Sequence, residues 1–150
     1  ANLSFANLSS ANLSSANLTS ADLSFANLSS ADLSSAINAE LAIAMTRILP
    51  DGDLIGWKKC RENVIVKLAI PKEAKRSHAF GRKCRAEFAD VLEVIGSDKG
   101  VSLNTSYKPI EYRKGERVKP HEAWNEDFTN ECASGIHFFI TKLEAEHFTL

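Results

Sequence analysis

The densest chemistry in the sequence lies between residues 67 and 85. There Lys67, Lys72, Lys75, Arg76, Arg82, Lys83 and Arg85 stand against Glu73 alone, a balance of seven minus one, or +6 over nineteen residues. Arginine offers a planar fork of donors that matches phosphate oxygens in pairs, and Gly81 lets backbone amides approach an anion closely. The candidate anion-binding set is Lys75, Arg76, His78, Arg82, Lys83 and Arg85. Its chemistry suits a nucleotide, a cyclic nucleotide signal or a phosphate backbone. The competing reading is a solvated loop whose cations pair with acids elsewhere. Residues 122 to 146 supply them, since Glu122, Glu126, Asp127, Glu131, Glu144 and Glu146 outnumber Lys142 there.

A thiol and an imidazole in contact can make a nucleophile when a third group orients the ring. Cys132 and His137 stand five residues apart across Gly135, but no recognised motif surrounds them. A small core cysteine and a half-buried histidine are the plainer roles. Zinc would require Cys84, Cys132, His78 and His137 to converge from distant segments, and the chain has no Cys-x-x-Cys pair. It also lacks a phosphate-binding glycine loop, a Ser-His-Asp order and a His-Glu-x-x-His run. No catalytic residue, metal or cofactor is therefore assigned. Trp57 and Trp124 could stack a base, yet their hydrophobic or turn-rich surroundings predict a core role.

The elements that must position these groups fall into two unlike parts. Residues 1 to 35 repeat one phrase seven times, Ala-Asn/Asp-Leu-Ser/Thr-Ser/Phe, with Leu at 3, 8, 13, 18, 23, 28 and 33. An apolar spacing of five fits neither a helix nor a flat strand. It fits a coil that turns a corner every five residues and stacks into a solenoid. The pattern resembles the pentapeptide-repeat family, in which the central Leu and the residue two before it point inward in a right-handed, four-sided β-helix. The resemblance implies four repeats per coil, so seven repeats give 1.75 coils. So short a stack leaves an open edge. Because Ala1 opens within the repeat, the expectation is either an array trimmed at its start, which is favoured, or an open end covered by a partner, with self-association into a homo-oligomer as a further possibility. Phe5 and Phe25 stand twenty residues apart, one implied coil, and are expected to stack on one wall as an aromatic ladder or an interface stripe.

All eighteen Lys and Arg lie beyond the repeats. Residues 36 to 40 read as a degraded eighth copy, and 41 to 53 as a cap and linker, with Leu41 to Leu49 capping the coil and Pro50 to Asp53 ending it in a turn. From residue 54 to 150 the sequence predicts a small α+β domain with mostly antiparallel strands. Leu54 to Lys59 and Val64 to Ile70 form a hairpin across Cys60 to Asn63. Residues 72 to 85 are polar, Ala86 to Ile95 is a buried strand or short helix, and Gly96 to Gly100 is a loop. Tyr107 to Arg113 and a run around Val118 are strands about Lys114-Gly115, and Pro120 to Asn130 is irregular. Gly135 opens a strand at Ile136 to Ile140, and Thr141-Lys142-Leu143-Glu144 matches a capping box, so a helix starts after Thr141. Phe138 and Phe139 face opposite sides of that strand, one in the core and the other under the helix or a partner. The overall class is mainly β with α+β.

The net charge of −1 argues against duplex nucleic-acid binding by the chain as a whole. No apolar run is long enough to span a membrane, and no charged-then-apolar leader opens the chain. Three cysteines, an odd number, fit reduced thiols of a cytoplasmic protein.

Several phrases in the second half carry a further likeness: Gly56-Trp57-Lys58-Lys59-Cys60, Ala74-Lys75-Arg76, Gly81-Arg82-Lys83-Cys84-Arg85-Ala86 and Cys132-Ala133-Ser134-Gly135-Ile136-His137-Phe138-Phe139. Together they resemble an uncharacterised domain at the C-terminus of pentapeptide-repeat proteins of bacteriophages and prophages. The likeness spans roughly Asp53 to Phe148. The Cys-x-x-Gly-Ile-His segment also looks like an element of phage proteins of the rapid-lysis type. The resemblance implies a phage origin and a bacterial host cytoplasm, and brings no catalytic residue. The leading expectation is a non-enzymatic binding protein that captures a nucleotide-like anion, with sequestration of a host signal as one use. The alternative is interaction with a host protein, because some pentapeptide-repeat proteins imitate the DNA duplex and block or protect topoisomerases. Only Asp22 and Asp32 are charged in residues 1 to 35, which weighs against mimicry. A Cys-His enzyme is the least favoured class.

Overall fold

The structure is a computed structural model that describes residues 1–150 apart from 24–25, 29–30, 41–47, 79–80, 105–107, 128–129, 131 and 150. In the repeats, parallel bridges join Asn2 to Asp22, Asn7 to Asn27, Asn12 to Asp32 and Asn17 to Ile37, so the backbone returns over itself every twenty residues, or four repeats. Ile37 gives the degraded eighth copy a structural place. Each corner is a tight turn closed by a bond such as Ala6 N to Leu3 O (3.1 Å) or Ala11 N to Leu8 O (3.0 Å). The fifth residue of the phrase takes the left-handed conformation at Phe5, Ser10, Ser15, Ser20 and Ser35, with φ between 55° and 62°. That conformation is costly for residues other than glycine. The Asn or Asp of the phrase supports it at described corners, because Asn2 Oδ1 accepts from Ser4 N at 2.9 Å, Asn12 Oδ1 from Ser14 N at 3.0 Å and Asp32 Oδ1 from Ser34 N at 2.9 Å.

The inward set is the one the spacing predicts. Leu18, Ala21, Leu23, Ala26, Leu28 and Ala31 form a buried cluster, with Leu3, Leu8, Leu13 and Leu33 packed partly against it. Phe5 stands outward and is 76% exposed. Phe25 lies outside the described residues, and so does the expected aromatic stack. The cap assigned to Leu41 to Leu49 falls largely outside them as well. Leu49 is itself buried in the core of the C-terminal part, with Ile48 packed beside it.

That C-terminal part is built from short antiparallel strands. β1 (Leu54–Lys59) and β2 (Ile65–Ile70) form the expected hairpin, joined by a 3-10 turn at Arg61–Asn63. β3 (Arg76–Ser77) and β4 (Cys84–Ala86) lie within the stretch read as merely polar and basic. β5 (Ala89–Ile95) resolves the strand-or-helix alternative as a strand. β6 (Gly100–Val101), β7 (Glu111–Tyr112), β8 (Arg117–Val118), β9 (Ile136–Phe138) and α1 (Lys142–His147) follow.

The sheets run β1-β2-β5-β8, β3-β4-β9 and β6-β7. β7 and β8 flank Lys114-Gly115 as expected, but they pair with β6 and β5 and not with each other. Paired bonds between Trp57 and Phe139 (2.8 and 2.7 Å) join the first two sheets. The protein is therefore mainly β with one short helix among the described elements.

Alternation along β1 sets up the site. Leu54 and Gly56 face the core, and the ring of Phe138 lies where a side chain on Gly56 would be, 2.5 Å from a built Cβ. The next position on that face is Lys58. On β9, Ile136 and Phe138 are buried, and Phe139, just beyond, meets Phe148 after α1 with ring centroids 5.2 Å apart. The capping box forms as read: Thr141 Oγ1 accepts from Glu144 N at 3.2 Å and donates to Glu144 Oε2 at 2.6 Å.

Candidate functional site

The core-facing position of Lys58 opens into a cavity of about 190 Å³ lined by Lys58, Ser102, Lys108, Tyr112, His121, Glu122, Ser134 and His137, among others. Its walls are tied to one another. Ile110 N donates to Ser102 Oγ (3.0 Å), Ser102 N to Ile110 O (3.0 Å), and Ser134 Oγ to Glu122 O (2.9 Å). His121 Nε2 lies 3.2 Å from Pro109 O.

Lys58 is the unusual member. Its Nζ donates to His137 O at 3.1 Å and lies 5.6 Å from the centre of the Tyr112 ring. No carboxylate lies within ion-pair distance among the described residues. Burial pulls its pKa down from 10.5 to about 8, against the opposing influence of Cys60 and with a smaller push the same way from the charge of Lys83. Tyr112 is only 1% exposed, and burial holds its phenol protonated well above the ordinary range. No hydrogen bond reaches that hydroxyl from the described residues. The site therefore offers an amine without a counter-ion and a phenol without an acceptor. With two lysines against Glu122, the lining carries one net positive charge when its histidines are neutral.

The basic stretch singled out in the sequence is distributed elsewhere. Arg85 is 1% exposed, with its guanidinium 4.2 Å from the centre of the Trp124 ring. It donates to the carbonyls of Asn125 (2.8 Å), Ser134 (3.1 Å) and Asp127. Arg76 donates to Gly52 O (2.6 Å), Pro71 O (2.7 Å) and Ala74 O (3.3 Å). Lys75 pairs with Glu126 and Arg82 with Glu144, both from the acidic stretch named as the alternative partner. Lys83 lies over the Phe148 ring at 5.5 Å, and His78 is half-buried after β3. Lys75 and Arg76 do share a wide-open groove of about 500 Å³ with Lys72, Ser77, Trp124 and Glu126. Arg82, Lys83 and Arg85 are not part of it. Trp57 and Trp124 are each half-buried, covered on one face by Lys67 and Arg85 respectively.

The cysteines divide by burial. Cys60 and Cys84 are buried, and burial pushes their thiols up to about 11 and about 12, which keeps them protonated. Cys132 is exposed. The described residues include no cluster of three or more His, Cys, Asp or Glu able to hold a metal, and no helix long and apolar enough to cross a membrane.

Sequence reasoning passed over Lys58, Tyr112, Lys108 and His121. The signal for Lys58 was present: Leu54, Gly56, Lys58 and Cys60 share one parity of a strand whose other members on that face are apolar or small. Tyr112 and His121 had no such signal, because only tertiary folding brings β7 and the segment of His121 beside β1.

A model described as pentapeptide repeats matches residues 1–37 in eight copies. A second, described as a family of unknown function (DUF5758), matches residues 45–145, about two thirds of the chain. No curated protein matches the chain, and no solved structure does. With both cores, the cavity and these matches in view, the chain belongs to the DUF5758 family of unknown function, carried here behind a run of pentapeptide repeats.

Proposed function

We propose that the C-terminal domain is a receptor for a small anion and that the repeats, wound as a right-handed four-sided β-helix, are its scaffold. The observation that carries this reading is Lys58. Its amine sits on the core face of a strand and lines the cavity, with no carboxylate within ion-pair distance among the described residues. A half-buried cation with a neutral carbonyl and no carboxylate as partner among the described residues is costly, and an incoming phosphate or carboxylate would offset that cost. At about 190 Å³ the cavity is smaller than typical sites for drug-sized ligands, so a nucleotide enters only by its phosphate end. The function is capture without turnover. The resemblance to phage and prophage proteins supports placing the protein in a bacterial cytoplasm, with a host metabolite or signal as the anion.

Calorimetric titration with inorganic phosphate tests the reading. Binding should be saturable, lost in Lys58→Met and retained in Arg82→Gln, whose cation belongs to an exposed pair outside the cavity. Equal binding by wild type and Lys58→Met would overturn it.

A further inference from the structure

We infer that Lys58 is a covalent capture site, at which its amine condenses reversibly with the carbonyl carbon of a small aldehyde or ketone that bears an anionic group. The inference rests on the anion-site reading above and narrows the ligand to a carbonyl-bearing acid. Three observations support it. The amine lines a partly open cavity and is held at one point among the described residues, by His137 O, so a substrate carbon can reach its lone pair. Tyr112 lines the same cavity with its phenol protonated. Lys58 also has a lowered pKa, so at neutral pH its uncharged fraction is about a tenth, against well under a hundredth for an ordinary lysine.

The step balances without an oxidant or reductant. The neutral amine adds to the carbonyl carbon, forming a C–N bond, and the carbonyl electron pair moves to oxygen, which takes up a proton. The nitrogen loses a proton, and its lone pair then expels the hydroxyl to form C=N. Tyr112, whose ring lies 5.6 Å from Nζ, is the cavity group that gives the proton with which that hydroxyl leaves as water, and the iminium N–H then returns a proton to its phenolate oxygen. The products are one imine and one water, and addition of water reverses the step. Other lysines are differently placed: Lys75 and Lys99 are held in ion pairs at the surface.

The test uses the full chain with glyoxylate, a small aldehyde acid, in the presence of cyanoborohydride, followed by digestion and mass spectrometry of every lysine. Lys58 should carry the carboxymethyl group at a rate at least about tenfold above Lys114, a lysine flanking the exposed Gly115 turn, near neutral pH. Labelling of Lys58 no faster than Lys114 overturns the inference. Two arms separate this failure from that of the anion site. If Lys58 is unlabelled while inorganic phosphate still binds wild type and not Lys58→Met, the anion site stands and covalent capture falls. If propionaldehyde labels Lys58 as fast as glyoxylate does and phosphate gives no protection, covalent chemistry stands and the anion site falls.

Discussion

Lys58 Nζ lies 3.1 Å from the main-chain oxygen of His137, a bond that fixes the third core-facing position of β1 against β9 across the mouth of the cavity. A neutral acceptor orients the ammonium and leaves its charge uncompensated, which is what distinguishes it from the paired lysines of the surface.

Replacing Lys58 should therefore stabilise the fold. Its folded-state pKa lies below the unfolded value, so the cost of charging it is present in full below pH 8 and fades as pH rises from about 8 to 10.5. The groups facing it are Cys60, Lys83, Lys108, Tyr112, His121, Glu122 and His137, and the Cys60 thiol and Tyr112 phenol remain protonated through that window. Urea denaturation should show Lys58→Met more stable than wild type by up to about 3 kcal/mol at pH 7, with the gap closing toward pH 10. A variant less stable at pH 7 would contradict the assignment of a desolvation cost.

Arg85 organises the loop that forms one side of the cavity. Its three carbonyl acceptors and the Trp124 face all belong to residues 124 to 134, and Gly135 packs against it so closely that a built Cβ would lie 2.9 Å from Arg85 Cβ. Arg85→Met should cost about 2–4 kcal/mol by leaving carbonyls unsatisfied. Arg85→Lys should cost nearly as much, because a point charge cannot serve three acceptors in a plane. Chemical denaturation measures both, and a lysine variant within a few tenths of wild type would refute the fork geometry.

In the repeats, Leu23 and Leu28 are fully buried. Leu28→Ala should lower stability by about 2–4 kcal/mol, whereas Phe5→Ser, at an outward corner, should change it by less than about 0.5. Circular dichroism melts of the full chain compare them, and similar losses in the two would argue against an inward leucine column.

At the other end, Thr141→Ala should cost about 1 kcal/mol by removing the acceptor for Glu144 N, while Thr141→Ser should be close to neutral. Thermal denaturation reads the difference. Equal melting of the two variants would show that the cap contributes nothing.

Much of the fold was legible because it is governed by local rules. A strict five-residue period left one geometry for the leucines, and Thr141 with Glu144 announced the helix start. β3 and β4 were hidden because Arg76 and Arg85 make their segment look like solvent-exposed loop, when both guanidinia donate to backbone carbonyls inside the domain. Charge density in a sequence does not say whether cations gather around one ligand or each tie down a different segment. The cavity was invisible for the opposite reason: Lys58, Tyr112 and His121 are far apart in the chain, and each looks ordinary alone.

The most direct test of an uncompensated amine that receives an anion is a pH titration of the eleven lysines, labelled with 13C at Cε and followed by NMR with and without inorganic phosphate. One resonance, missing in Lys58→Arg, should titrate near pH 8, and phosphate should move its midpoint upward by favouring the charged form. Eleven resonances titrating together near 10.5, none of them responding to phosphate, would contradict the account.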